Sequence, residues 1–160
     1  KTRLKVDRDL DEADRAIFYS SWEYSAVRLA TSLDRYQSLD EIAQRFGLEP
    51  KRVRDILDFL VERSLVVRSG AKFEMGPAST HLPAGSAWVR HRQIDWRLKA
   101  IESMKTPKND LFFTAPISIS ASDLVSVRQD ILDLISRFAE RVKQSPAEEL
   151  ACLNIDLFRI

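Results

Sequence analysis

Residues 38–72, SLDEIAQRFGLEPKRVRDILDFLVERSLVVRSGAK, constrain the fold more than any other stretch, because they order two helices, a tight turn and a hairpin. Ser38 and Glu41 have the spacing of a capping box, in which each residue satisfies an orphan amide of the other. Leu39, Ile42, Ala43 and Phe46 then share one helical face, and Gly47 followed by Leu48 suits a left-handed helix end. Pro50 belongs at the first position of a new helix, which makes Glu49 its cap and carries it to about Arg63. The stripe of this second helix is Val53, Ile56, Leu57, Leu60 and Val61. Leu65, Val66 and Val67 read as a strand, Ser69 and Gly70 as the turn, and Phe73 with Met75 as the returning strand. Helix, turn, helix and hairpin predict a winged helix-turn-helix.

The rest of the chain divides around this unit. Residues 1–15 mix Lys1, Arg3, Lys5, Arg8 and Arg15 with five acidic residues and read as a solvated linker or helix approach, capped by Asp11 or Asp14. From Ala16 to Leu33, Phe18, Trp22, Ala26, Leu29, Ala30 and Leu33 recur at three- and four-residue steps, predicting one long helix whose aromatic rings cover the core. The winged-helix domain is thus expected over 16–76. Residues 77–86, PASTHLPAGS, have linker composition. The remainder, 87–160, is expected to hold a helix from Ala87 to Lys105, packed through Trp88, Ile94, Leu98 and Ile101, and then a strand–helix–strand unit. Its strands are LFFTAPISIS (111–120) and ACLNIDLFRI (151–160). Its helix runs from a Ser120 or Ser122 cap to about Lys143, with the most regular apolar stripe of the chain. The fold class expected is mainly α with a small β component.

Charge and composition narrow the function. The 160 residues hold 25 basic and 24 acidic side chains, a formal charge of +1, so bulk charge selects no partner. The one cysteine, Cys152, excludes an internal disulfide and predicts a small buried hydrophobe in a reducing cytoplasm. No run is apolar enough for a membrane span, and no signal peptide is present. Lysine as first residue is read as the start of an excised piece of a longer protein. With four glycines and no phosphate loop, no activated nucleophile and no cysteine or carboxylate at ligand spacing from His81 or His91, neither an enzyme nor a metal or cofactor site is expected.

FYSSWEYSAVRLA, LEPKRVRDILDFLVERSLVVRSG and the closing CLNIDLFRI together resemble a bacterial family defined as a domain of unknown function. In that family a Cro/C1-type helix-turn-helix precedes a region like this one, and its members are described as candidate transcriptional regulators. A proline follows the phenylalanine of the closing motif in the family pattern, where this chain has Arg159. The resemblance implies a regulator and supplies no catalytic residue and no effector; the cytoplasmic location expected for it rests on the cysteine usage and the absence of a signal peptide.

Lys51, Arg52 and Arg54 crowd the first turn of the expected recognition helix, where cations oppose the helix dipole, so helix stability does not explain them. Contact with phosphate or guanine does, and Arg68 and Lys72 flank the wing tip. These five residues are the candidate DNA contacts, with Arg90, Arg92 and Arg97 as an added basic surface. Asp55, Asp58 and Glu62 argue the other way, since they can pair with Lys51, Arg54 and Arg63 on a solvated face. The alternative is a docking or dimerisation module without DNA contact of its own. Residues 77–109 carry six basic against two acidic side chains (+4), and 110–160 carry five against eight (−3). The acidic unit is expected to form a homodimer or bind a protein partner. An effector pocket there would be lined by Phe112, Phe113, Ile117, Phe138 and Phe158, for which ordinary core packing is the plainer reading.

Overall fold

A computed structural model describes residues 10–160 apart from Ser79 and Pro107. The expectations for Lys1, Arg3, Lys5 and Arg8 lie outside the described residues. Six α-helices and one two-stranded antiparallel sheet are present among those described. Helices α1 (Glu12–Phe18) and α2 (Trp22–Ala30) replace the single long helix expected from residue 16. The break follows from Ser20 and Ser21. Ser20 Oγ donates to the Ile17 carbonyl, and Ser21 Oγ accepts the Glu23 amide as the cap of α2, so both hydroxyls favour interruption. Asp11 caps α1 by accepting the Asp14 amide.

The central segment follows its sequence signals. Helix α3 (Leu39–Phe46) begins with both halves of the Ser38–Glu41 capping box and ends at Gly47 with φ +62°. Helix α4 (Pro50–Glu62) starts at the predicted proline, and strands β1 (Val66–Ser69) and β2 (Lys72–Met75) pair Val66 with Met75 and Ser69 with Lys72. Val27, Ala30, Ile42, Val53, Ile56, Leu57, Leu60 and Leu65 form the centre of the core. The aromatic residues close it from outside. Phe18, Tyr19 and Tyr24 are buried, and Tyr24 meets Phe59 edge to face at 5.3 Å between centroids.

Two contacts lock the hairpin to the helices, one to α4 and one to α2. Ser64, at φ +60°, takes the left-handed position after the helix, and the Leu65 amide returns to the Leu60 carbonyl at 2.9 Å. Gly76 then passes so close that a Cβ there would lie 2.2 Å from the Ser64 carbonyl oxygen. The second lock is Arg28 of α2. Its guanidinium donates to the carbonyls of Leu65 (3.2 Å) and Ala78 (2.8 Å) and to the Thr80 hydroxyl (3.2 Å). Tyr19 adds a 2.7 Å bond to the Thr80 carbonyl, so the linker-like stretch after β2 is fastened to α2.

Beyond it, α5 (Ala87–Ser103) and α6 (Ala121–Gln144) differ in kind from the first four helices. Every buried apolar residue among those described lies between Leu10 and Ala78, and neither α5 nor α6 buries one. The packing face of α5 agrees with expectation only at Trp88. Trp88 and Trp96 face the core domain, whereas Ile94, Leu98 and Ile101 are exposed. The expected strands 111–120 and 151–160 are absent: neither stretch joins a ladder within the chain.

Replacing Gly76 by alanine forces its methyl into backbone rather than into a movable side chain, so chemical denaturation is expected to show a loss of about 3 kcal/mol. Arg28→Met keeps the stem but leaves the Ala78 carbonyl without its donor, and the expected loss is also about 3 kcal/mol. An unchanged denaturation midpoint for Arg28→Met would mean that the arginine is not a fastener of the fold.

Candidate nucleic-acid interface

The five basic residues picked from the sequence occupy one scaffold but not one environment. Lys51 is exposed, and its Nζ lies 3.3 Å from Asp55 Oδ2 one turn on. Arg54 is exposed, with no hydrogen bond or ion pair among the described residues. Arg52 points the other way. Its Nε donates to Glu23 Oε2 of α2 at 2.7 Å, its guanidinium carbon lies 5.3 Å from the centre of the Tyr24 ring, and the hydrogen bond it donates to Glu23 raises its pKa further. Arg52 therefore ties the first turn of α4 to α2.

On the hairpin, Arg68 and Lys72 are both exposed. Arg68 Nε donates to the Gly70 carbonyl at 3.0 Å, and its guanidinium carbon sits 5.5 Å from the Phe73 ring centre, which holds the side chain along the turn. Lys72 lies near enough to Glu41 to help hold that carboxyl below its ordinary value, a shift due first to hydrogen bonds from the Ser38 hydroxyl and amide. The added basic surface divides as well. Arg90 and Arg92 are exposed, but Arg97 is bound to Asp156 through Nε (2.8 and 3.0 Å) and to the Ile155 carbonyl (3.2 Å). It anchors the end of the chain to α5.

A further cationic group went unseen in the sequence. The guanidinium carbons of Arg35 and Arg45 lie 5.2 and 5.6 Å from the Tyr36 ring centre, and both arginines are exposed. The Gln37 carbonyl next door accepts the Phe73 amide at 2.7 Å, which seats this group beside β2. Arg35 beside Tyr36 was visible in the sequence. Arg45 was not, because it meets Tyr36 only when α3 folds back.

This surface offers guanidinium and ammonium groups to an anion, interrupted by carboxylates at Glu41, Asp55, Asp58 and Glu74. Among the described residues no three His, Cys, Asp or Glu side chains are grouped to hold a metal ion, and no helix is long and apolar enough to cross a membrane. Cys152 is exposed rather than buried. Phe112, Phe113, Ile117, Phe138 and Phe158 are exposed too, so the ordinary core packing expected of them is not made within the chain.

The family model for a domain of unknown function, DUF4423, matches residues 1–160. The chain belongs to the DUF4423 family. No curated protein and no solved structure matches it at a significant level. The DUF4423 assignment names no activity, so the reading of its basic surface rests on the geometry above.

A double-mutant cycle separates Arg52 from its neighbours. Glu23→Ala and Arg52→Ala are expected to be non-additive by about 0.5–1 kcal/mol, as for a partly exposed pair, whereas Glu23→Ala with Arg54→Ala should be additive. Additivity in both pairs would return Arg52 to the solvent-facing set.

Proposed function

We propose that this DUF4423 chain is the winged helix-turn-helix module of a transcriptional regulator, with α4 as recognition helix and the β1–β2 hairpin as wing. The observation that carries the reading is the placement of Lys51, Arg54, Arg68 and Lys72, all held in solvent by one rigid helix–turn–helix–hairpin scaffold. Arg54 stands near the positive end of α4 without a hydrogen-bond or ion-pair partner among the described residues, where the helix itself gains nothing from it. Phosphate contact by these side chains, with base-edge contact from the first turns of α4, accounts for their position. Arg35 and Arg45 extend the same role beside β2. Their stacking on Tyr36 restricts both side chains before any contact is made, which lowers the ordering cost of binding.

A second reading is favoured by a different observation. Among the described residues, 23 large hydrophobic side chains are exposed, and 19 of them lie from Ile94 onward. That distribution supports a docking module whose partner covers the C-terminal half.

Titration against pooled duplex DNA at two salt concentrations tests the first reading. The parent chain should bind with an affinity that falls as salt rises. The variant carrying Lys51→Ala, Arg54→Ala, Arg68→Ala and Lys72→Ala should bind more weakly, its salt slope reduced by roughly one for each phosphate it no longer neutralises. Arg52→Ala should leave the slope nearly unchanged. Absence of binding by the parent at low salt would reject DNA contact and leave the docking reading standing.

A further inference from the structure

The C-terminal half exposes too much apolar surface and too much unpaired backbone for a chain on its own. A compact protein of 18.4 kDa has an accessible surface of roughly 8,200 Å², and this chain has 12308 Å². Granting residues 1–9 the full exposure of an extended chain removes at most about 1,500 Å² of the difference. More than about 2,000 Å² of excess is left, well above the roughly 800 Å² that each partner contributes to a standard interface.

The excess has a pattern. In α6, Leu124, Ile131 and Phe138 recur every seventh residue, with Val127, Leu134 and Val142 close to the intervening positions, which is the spacing of a helix that packs along another helix. Leu134, Phe138 and Val142 are exposed, and the rest of the stripe is only half-buried. On either side of α6 lie the two stretches whose alternation reads as strand. Among the described residues, neither 108–119 nor 146–160 makes a single backbone-to-backbone hydrogen bond, although 111–120 alternates Ile117 and Ile119 with Ser118 and Ser120. The second stretch is nevertheless held in place. Asp156 is ion-paired with Arg97, and Asn154 Nδ2 donates to the Trp96 carbonyl at 3.3 Å, which fixes this stretch on α5. A strand-patterned segment so held presents an open edge to another chain.

We propose that a second copy of this chain covers the C-terminal half: the α6 stripes of the two copies pack together, and residues 111–120 of one copy pair as a strand with 151–158 of the other. This deepens the docking reading by naming its partner. The same copy supplies both halves of every contact, as a two-fold interface requires: an apolar helix against itself, and each of the two unpaired stretches against the other.

Sedimentation equilibrium without DNA, from micromolar concentration upward, tests the proposal. The chain should have twice its 18.4 kDa mass. Leu134→Glu with Phe138→Glu should weaken the dimer roughly a hundredfold or more, because two apolar side chains lose burial in each copy. These positions are exposed in the single chain, so circular dichroism should show its helices retained. If that variant unfolds, Leu111→Ser with Phe113→Ser provides a second route to the same loss of mass. Hydrogen exchange reports the strands: the amides of Ile117–Ser120 and Leu153–Leu157 should be protected in the dimer and exchange freely in the monomeric variant. A monomer at every concentration would overturn the proposal while leaving docking to a different protein open. A dimer whose arm amides exchange freely, or one that the charged substitutions do not weaken, would overturn it as well.

Discussion

The guanidinium of Arg28 is the interaction on which the rest of the core domain depends. It leaves α2 half-buried and reaches the carbonyl at the entry to β1 and two groups just after the hairpin. Burial lowers its pKa from the ordinary arginine value, but arginine starts so high that the group stays charged. A charged donor shared among three acceptors satisfies backbone groups that no regular element reaches. The same position determines how the hairpin sits. Because Ser64, Leu65, Gly76 and Ala78 bond across the junction, the chain enters and leaves the hairpin at one point, and Arg28 fastens that point to the core.

The two halves of the chain solve the problem of apolar surface differently. Residues 10–78 close on themselves with helix against helix and aromatic edges on the outside. The stretch from Ala87 onward keeps its apolar residues outward on α5 and α6, and its contacts with the first half are mostly polar or aromatic. Trp88 Nε1 donates to Glu12 at 2.8 Å, Trp22 meets Trp96 at 6.3 Å, and Lys99 Nζ lies 4.2 Å from the Trp22 ring centre. Such contacts orient a helix more than they bury it.

Local rules carried the sequence reading furthest. Caps, the left-handed glycine and the proline start act within a few residues, so Ser38, Gly47 and Pro50 announced α3 and α4. The break after Phe18 was legible in principle, since two consecutive serines ahead of Trp22 and Glu23 offer a cap, but the apolar period runs on through it and masks the signal. Which face of α5 turns inward was not legible. Ile94, Leu98 and Ile101 form the better stripe, yet tryptophans on another face took the contact, a choice that depends on Trp22 many residues away. The candidate site was half legible for the same reason. Charge at positions 51, 54, 68 and 72 is a sequence fact, whereas the pairing of Arg52 with Glu23 and of Arg97 with Asp156 exists only in three dimensions.

Helix α5 is pinned at its first turn through Trp88 and again two turns later through Trp96, on two different helices of the core domain. A rod held at two points cannot swivel about either. It acts as an axle whose bearing is fixed by the first half of the chain and whose free end carries everything after Ser103. Any arrangement of the distal half therefore sets the direction in which α4 faces, and two core domains joined through their distal halves would be held at a span that neither could adjust alone.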